Sequence, residues 1–504
     1  MGNFPPLEEL FRSFKKSPEG ISLGYCVDTG EEIVIPLEYW MRHNLIIGQS
    51  GVGKTVLGEW VMFQQIVKGG GLMWIDGKLD TDNLTSLRNM CAWCGRQDDL
   101  LVINPGNPDM SNTYNPILFG DADEVADRIL ALMPSAQNNP GADYFRQAAK
   151  QGLTTLIGAV QKTGRAYNFM DLTILLQNQK ALAWLENLVP PNSHERKQLS
   201  IFLEQFKTVV KDGSVNIDLK KLKDTLGGVS GRLHTFGSGN FGAITNSYAP
   251  DVDLFDAVKN NKIIYVMLPT MGKQEAASNF GKMTIGDFRT VISWIQALPK
   301  PQRPWPPFLG FFDEAGSYVT DSWSRMFEQS RAAHLVMLPA VQTVANFEAI
   351  SDELRSMVMG NTWTKVFFKI GENETGDRAA EMIGKEMQVA YSLSSSEGGG
   401  KQFNPHPGGG AKGKSDSDSF GYSERAEEGY KVSPDDLGAL DLGECVVTYG
   451  KSNVYHCKVP RITFDKSFVE GLGPVELNHF RPKFVRGMDL FKDVDRWLSG
   501  GQEG

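Results

Sequence analysis

RHNLIIGQSGVGKT, residues Arg42 to Thr55, climbs from an apolar run into a glycine-rich turn that closes on Lys54 and Thr55. The run HNLIIG reads as a buried strand, and TVLGEWVMFQQIV after the turn reads as a helix. Between them Gly48, Gln49, Ser50, Gly51, Val52, Gly53, Lys54 and Thr55 match G-x(4)-G-K-[ST] in full, in the strand–turn–helix context that gives the pattern its meaning. The glycines let successive backbone N–H groups point inward around an anion, and the helix adds its positive N-terminus. Such a turn cradles the β-phosphate of ATP. Lys54 then bridges the β- and γ-phosphates, the Thr55 hydroxyl ligates Mg²⁺, and the binding set runs from Gly48 to Val56.

The other half of such a site is a carboxylate at the end of a second strand. FLGFFDEAG supplies Asp313 and Glu314 directly after an apolar run. Asp313 is expected to hold Mg²⁺ through water and Glu314 to polarise the attacking water. No N-K-x-D base-reading string of a GTPase switch occurs, and the Glu after the Asp suits a hydrolysing motor better than the alternative of a nucleotide-gated docking platform for adaptors, since a pure switch gains little from a hydrolytic base. Arg42, before the first strand, and Arg331, in FEQSRAAHL, are candidates for a cation that reaches the γ-phosphate from a neighbouring subunit; a solvated arginine or a structural ion pair is the alternative for each. Gln342, at the end of LVMLPAVQ, is placed to sense the γ-phosphate or simply to cap a strand.

The chain has 504 residues, more than one ordinary core needs, so two or three structural units are expected. Its 41% hydrophobic and 22% charged content are those of a globular protein. A formal net charge of −9 argues against a surface wrapped in nucleic acid, although an acidic rim can enclose a basic channel. No run of about 18 apolar residues is found. MGNFPPLEELFRSFKK has prolines and acids where a signal peptide needs an apolar segment, and lacks the Ser or Thr that myristoylation after Gly2 requires. The five cysteines, an odd and sparse set, read as reduced thiols; Cys91-Ala-Trp-Cys94 has the spacing of half a zinc site but no second close pair.

Seven short apolar runs fit buried parallel strands: HNLIIG, GLMWID, LLVIN, KIIYVML, FLGFFD, LVMLPAVQ and TKVFFK. Their alternation with helical stretches predicts an α/β fold with a mostly parallel sheet covered on both faces. From Asn104 to Lys262 helical periods dominate, in DADEVADRILALM, DYFRQAAKQGLTTLIGAVQK and ERKQLSIFLEQFKTVV. The expected organisation is a first part of the core over 1–119, an inserted all-α domain over 120–235 and a second part of the core over 236–390. A flexible Gly/Ser-rich loop over 391–430, the last helix and strand over 431–473 and a tail over 474–504 follow. MDLFKDVDRWL in that tail reads as a short helix.

These pieces in this order resemble the type IV coupling proteins, the TraD/TraG group of conjugation and secretion ATPases. MWIDGKLDTDNL, GRQDDLLVINP, SNTYNPI, IIYVMLPTM and MGNTWTKVFFKIGENET are similar to its DotL/TrbC-like subgroup, from about residue 20 to about 390 and again at GYKVSPDDLGALDLGECVV. The resemblance implies a RecA-like P-loop core with an inserted all-α domain, a homo-hexameric ring, and a motor that delivers DNA, a relaxase–DNA complex or protein to a type IV secretion channel and its adaptors. Gly48 to Thr55 falls on the Walker A loop and Asp313-Glu314 on the Walker B pair. Arg42 and Arg331 fall where family arginines approach the neighbour's nucleotide, and Gln342 falls on the sensor glutamine. Members usually begin with transmembrane helices, whereas this chain begins almost directly at the ATPase domain. It is therefore expected in the cytoplasm at the inner face of the bacterial inner membrane, with docking through partners or through an anchor missing here.

Cargo contacts are less legible. Lys220, Lys221, Lys223 and Arg232 are candidates for a basic channel lining, with a solvated helix face as the alternative, and Phe241 lies between glycines that suit a mobile loop or a tight turn.

Overall fold

The computed structural model describes residues 5–16, 19–133, 140–209, 215–226, 228–399, 416–450, 453–477 and 490. Its strands are β1 (Gly20–Cys26), β2 (Glu32–Pro36), β3 (Asn44–Ile47), β4 (Leu72–Asp76), β5 (Leu100–Ile103), β6 (Lys207–Val209), β7 (Val215–Ile217) and β8 (Ile263–Met267). They continue with β9 (Phe308–Asp313), β10 (Leu335–Val341), β11 (Thr364–Phe368), β12 (Lys385–Gly399), β13 (Asp416–Tyr430), β14 (Glu444–Tyr449) and β15 (Asn453–Lys458). Contacts divide the chain into two units: Met1–Lys369 with Asp441–Gly504, and Ile370–Leu440.

The first unit is built on one sheet of order β2-β1-β15-β14-β11-β3-β10-β9-β4-β8-β5. From β11 to β5 every neighbouring pair is parallel, and these strands are the seven apolar runs visible in the sequence. Strands β3, β4, β5, β8, β9 and β10 are buried along their whole length because helices cover both faces, so no polar alternation is needed. The four strands beyond β11 are antiparallel. Of these only β14 stood out in the sequence. β2 alternates exposed and buried residues, the signature of a half-covered edge that is too short to be read alone.

Adjacent β5 and β8 are joined by a long crossover whose described residues are mostly helical and include the antiparallel pair β6 and β7. Its helices include Ala122–Leu130, Pro140–Lys162 and His194–Glu204. The expected all-α character is thus corrected at one point: helical periodicity was extended through KTVV, but the β-branched Thr208 and Val209 lie in β6. Arg128 on the first of these helices is fully buried, paired with Asp287 at 2.9 Å and bonded to the Pro116 carbonyl, and this fastens the crossover to the long helix Gln274–Ala297. No helix among the described residues is long and apolar enough to cross a membrane.

In the second unit the helices Asn373–Ile383 and Pro434–Ala439 flank a β12–β13 hairpin that pairs from Lys385↔Tyr430 to Gly399↔Asp416. This corrects the expected loop over 391–430 at residues 391–399 and 416–430. Gly and Ser weaken a strand through entropy, but an antiparallel ladder still pairs the backbone N–H and C=O groups that face across it, whatever the side chains. Residues 400–415, and the tail helix expected at MDLFKDVDRWL apart from Leu490, lie outside the described residues.

Candidate functional site

The carboxyl ends of β3, β10, β9 and β4 lie side by side at one edge of the sheet, since Ile47 pairs with Val341 and Asp76 with Asp313. Ligands of open α/β sheets bind at this edge. Beyond β3 the turn Gly48–Gly53 leads into the helix Lys54–Val67. Two of its glycines are required by conformation: Gly51 and Gly53 have φ of 79° and 117°, the left-handed region that side chains rarely enter. Gly48 is required by space, because a Cβ there would lie 2.6 Å from Phe368 Cβ.

Lys54 is buried, and its Nζ donates to the Gly48 and Gln49 carbonyls at 2.7 and 2.8 Å, inside the turn. Burial holds its pKa below the usual lysine value, although Glu314 and Asp313 work in the other direction. Thr55 Oγ1 donates to Asp313 Oδ2 at 2.7 Å. Asp313 is 2% exposed, and its pKa is raised chiefly by that burial.

Glu314 turns out of β9 with φ 52°, a left-handed conformation unusual for a glutamate. Its carboxylate accepts from Gln342 Nε2 at 3.0 Å and pairs with Lys78 Nζ at 3.0 Å. Burial alone would raise its pKa, but Lys78, Gln342 and Lys54 together hold it below the ordinary glutamate value, so it is charged near neutrality. A charged carboxylate beside a phosphate cradle is the state a general base requires.

Sequence reasoning missed a second layer. Asp76 ends β4 as Asp313 ends β9, an apolar run closing on an acid, and that shared pattern was the available signal. Asp76 accepts from Asn83 Nδ2 and the Tyr265 hydroxyl, each at 2.8 Å, and burial pushes its pKa up to about 6. Gly77 follows it, and a Cβ there would stand 2.6 Å from Glu314 Cβ. Lys78 was visible inside MWIDGKLDTDNL without a role.

Lys54, Thr55, Asp313, Glu314 and Gln342 are therefore brought together, and Arg42 and Arg331 are not. Arg42 precedes β3 and Arg331 precedes β10, so both sit at the amino ends of strands whose carboxyl ends carry the site. From Arg42 to Gly48 the chain covers on the order of 20 Å at the rise of a strand. Arg42 lies over the Trp363 ring, 3.9 Å from its centroid. Phe241 is buried in the helix Gly239–Thr245 against Phe236 and Phe280, which removes it from any mobile loop. Lys220, Lys221 and Lys223 are exposed on the helix Leu219–Leu226.

The site opens into a cleft of about 420 Å³ whose lining includes Lys54, Thr55, Lys78, Asp313, Glu314 and, from β15 and its surroundings, Lys458 and Arg461. The glycine geometry, the buried Lys54 and the Thr55–Asp313 pair fit a triphosphate with a divalent cation. Thr55 and Asp313 are the residues that would hold the cation.

Known proteins bear out the resemblance. A family model described as the TraM recognition site of TraD and TraG matches residues 307–441. The type 4 coupling protein DotL of Legionella pneumophila is 26% identical over 411 residues, covering 71% of this chain and 51% of DotL. The chain thus spans about half the length of that curated relative. The unbound conjugative coupling protein TrwBdeltaN70 shares the fold with a TM-score of 0.56 at 13% identity, over 90% of this chain and 92% of that one. TrwB in complex with ADP and Mg²⁺ gives 0.55 at 13%, over 93% and 94%. VirB4 of Thermoanaerobacter pseudethanolicus gives 0.50 at 13%, over 88% and 97%. The chain resembles type IV coupling proteins in sequence and shares the TrwB fold, a RecA-like core with a large, mostly parallel sheet.

Proposed function

We propose that this chain is the ATP-hydrolysing motor of a type IV coupling system, working as a homo-hexamer that passes DNA or a relaxase–DNA complex to a secretion channel. The observation that supports this most is the Thr55–Asp313 hydrogen bond, which joins the phosphate turn to the strand-end acids and sets Glu314 beside them. Gly48 to Val56 bind the phosphates and Lys54 neutralises their charge. Mg²⁺, when bound at Thr55 and Asp313, supplies further charge neutralisation at the phosphate oxygens. Glu314 takes the proton of the attacking water, and Gln342 holds its carboxylate in place. Arg42 or Arg331 acts on the nucleotide of the neighbouring copy, because neither reaches its own.

Residues 120–235 form the inserted domain in this reading, and the motor works in the cytoplasm at the inner face of the inner membrane, docked through partners. A second reading, in which the cargo is protein, is favoured by the net charge of −9, since a nucleic-acid pump gains from a basic surface. ATPase rate measured against protein concentration, with and without DNA, tests both. Turnover that rises with concentration and again with DNA is expected. Turnover indifferent to DNA would transfer the reading to protein cargo, and no turnover at any concentration would end the motor reading.

A further inference from the structure

The antiparallel end of the sheet carries three of the five cysteines in one row. Cys26 in β1 stands opposite Cys457 in β15, and Cys457 stands opposite Cys445 in β14. Directly opposed residues of an antiparallel ladder share a face, so the three side chains lie side by side across three strands. We propose that this row is an oxidant-sensitive dithiol site, in which Cys26 reacts first with a hydroperoxide and Cys457 then closes a disulfide onto it.

Register sets the spacing. Val27 N donates to the His456 carbonyl at 2.9 Å, which makes Val27 and His456 a hydrogen-bonded pair and the neighbouring Cys26 and Cys457 a non-hydrogen-bonded one. The Cα atoms of such a pair stand about 4.5 Å apart, within the range of about 4.4–6.8 Å that a disulfide spans. The Cys457 thiol faces β1, since its Sγ donates to the Leu23 carbonyl at 3.5 Å. Gly24, with φ 138°, leaves the space this sulfur occupies, because a Cβ there would stand 3.0 Å from it.

Reactivity sets the order. Cys26 ends β1 at the turn to β2, where Gly30 N donates to the Cys26 carbonyl and Cys26 N to the Glu31 carbonyl, each at 2.8 Å. This turn folds Asp28 and Thr29 back over the cysteine. Burial raises the thiol's pKa, but the Thr29 hydroxyl and the N–H groups of Thr29 and Asp28 outweigh both burial and the Asp28 charge, and hold it below the usual cysteine value. Cys26 is half-buried and open to a small oxidant, whereas Cys445 and Cys457 are fully buried. Cys91 and Cys94, the close pair in the sequence, are pushed the opposite way by burial. The thiolate is the attacking form, so Cys26 is the point of entry.

The chemistry balances with hydrogen peroxide as the oxidant. The Cys26 thiolate attacks one peroxide oxygen, the O–O bond breaks, and the cysteine becomes a sulfenic acid as hydroxide leaves. The Cys457 sulfur then displaces the sulfenic hydroxyl, which departs as water with the Cys457 proton. Two thiols lose two electrons to form one disulfide, and one peroxide is reduced to two waters.

The test treats the reduced full chain with hydrogen peroxide, counts free thiols after denaturation, and locates the bridge by mass spectrometry of non-reduced peptides. Two of the five thiols are expected to disappear into a Cys26–Cys457 linkage that dithiothreitol reverses. Cys26→Ser, on a half-buried side chain, should slow the loss of thiols by about tenfold or more. In Cys457→Ser the reaction should stop at a Cys26 sulfenic acid that dimedone captures. A first bridge between Cys91 and Cys94, between Cys445 and Cys457, or between Cys26 of two chains overturns the proposal, as does unchanged oxidation of Cys26→Ser. So does an unaltered chain that keeps all five thiols, or one whose Cys26 is captured by dimedone without any bridge to Cys457. The mapping on the unaltered chain decides the outcome whether or not Cys457→Ser folds.

Discussion

Thr55 and Asp313, 258 positions apart in the sequence, are joined by a 2.7 Å hydrogen bond from the threonine hydroxyl to the aspartate Oδ2. Strand β10 lies between β3, which leads into the turn before Thr55, and β9, which ends in Asp313, so the contact spans the sheet at its carboxyl edge. The other oxygen of Asp313 accepts the Glu314 N–H at 3.0 Å, which ties the general-base candidate to the same carboxylate. One buried aspartate thus links the phosphate turn to the general-base candidate.

Asp313→Asn keeps the volume of that residue and removes its charge. ATP hydrolysis is expected to fall by about 10²-fold or more while the chain stays folded. A Mg²⁺ titration of the residual activity checks the cause: the half-saturating concentration rises if Asp313 helps hold the cation. Unchanged turnover would remove Asp313 from the site.

Gly77 is expected to set the position of Glu314 from behind. Any side chain at 77 meets Glu314 Cβ, at 2.6 Å for an alanine. Gly77→Ala should therefore lower kcat by about tenfold or more and leave ATP affinity nearly unchanged, with Glu314→Gln as the comparison. A variant with normal kcat would show that the site tolerates a displaced Glu314.

The parallel part of the sheet was legible because each of its strands is a continuous apolar run between helices, as in LMWID and FLGFF. The phosphate turn and Asp313-Glu314 were legible because their residue types are dictated by chemistry at fixed spacing. What stayed hidden depends on long-range contact. Gly77 is one glycine among 53 until Glu314 is seen beside it. β12 and β13 were hidden for another reason: their pairing is carried by backbone hydrogen bonds, on which a Gly/Ser-rich stretch leaves no periodic mark.

Arg42 and Arg331 stand at the opposite edge of the sheet from Lys54, so any action on a nucleotide is on a neighbour's. Arg42→Ala and Arg331→Ala are each expected to retain ATP binding, and the arginine that acts across the interface should lose about 10³-fold in hydrolysis when removed. Mixing supplies the sharper readout. Glu314→Gln subunits keep both arginines, and arginine variants keep Glu314, so mixed rings contain some complete sites. Activity recovered on mixing two inactive proteins is expected. If mixtures stay as inactive as their parts, the arginines do not act between copies.

His43 makes the same edge sensitive to acid. It is 1% exposed, its Nδ1 accepts from Met337 N at 3.2 Å, and its Nε2 lies 3.3 Å from Ser330 Oγ, which itself donates to the Met326 carbonyl. That pattern fixes the neutral tautomer with the proton on Nε2. Burial, with a smaller contribution from Arg331, lowers its pKa from 6.5 to about 4 against a raising effect from Phe327. The folded chain therefore binds fewer protons than the unfolded chain between those values. Its stability from this group is full above pH 6.5 and is lost as the pH falls through 4. His43→Asn suits the left-handed φ of 62° and cannot titrate. Between pH 7 and pH 4 the unaltered chain should lose about 3 kcal/mol relative to this variant in urea unfolding. A stability difference that does not change with pH would mean that His43 has the same pKa in the folded and the unfolded chain, and that burial does not hold it neutral.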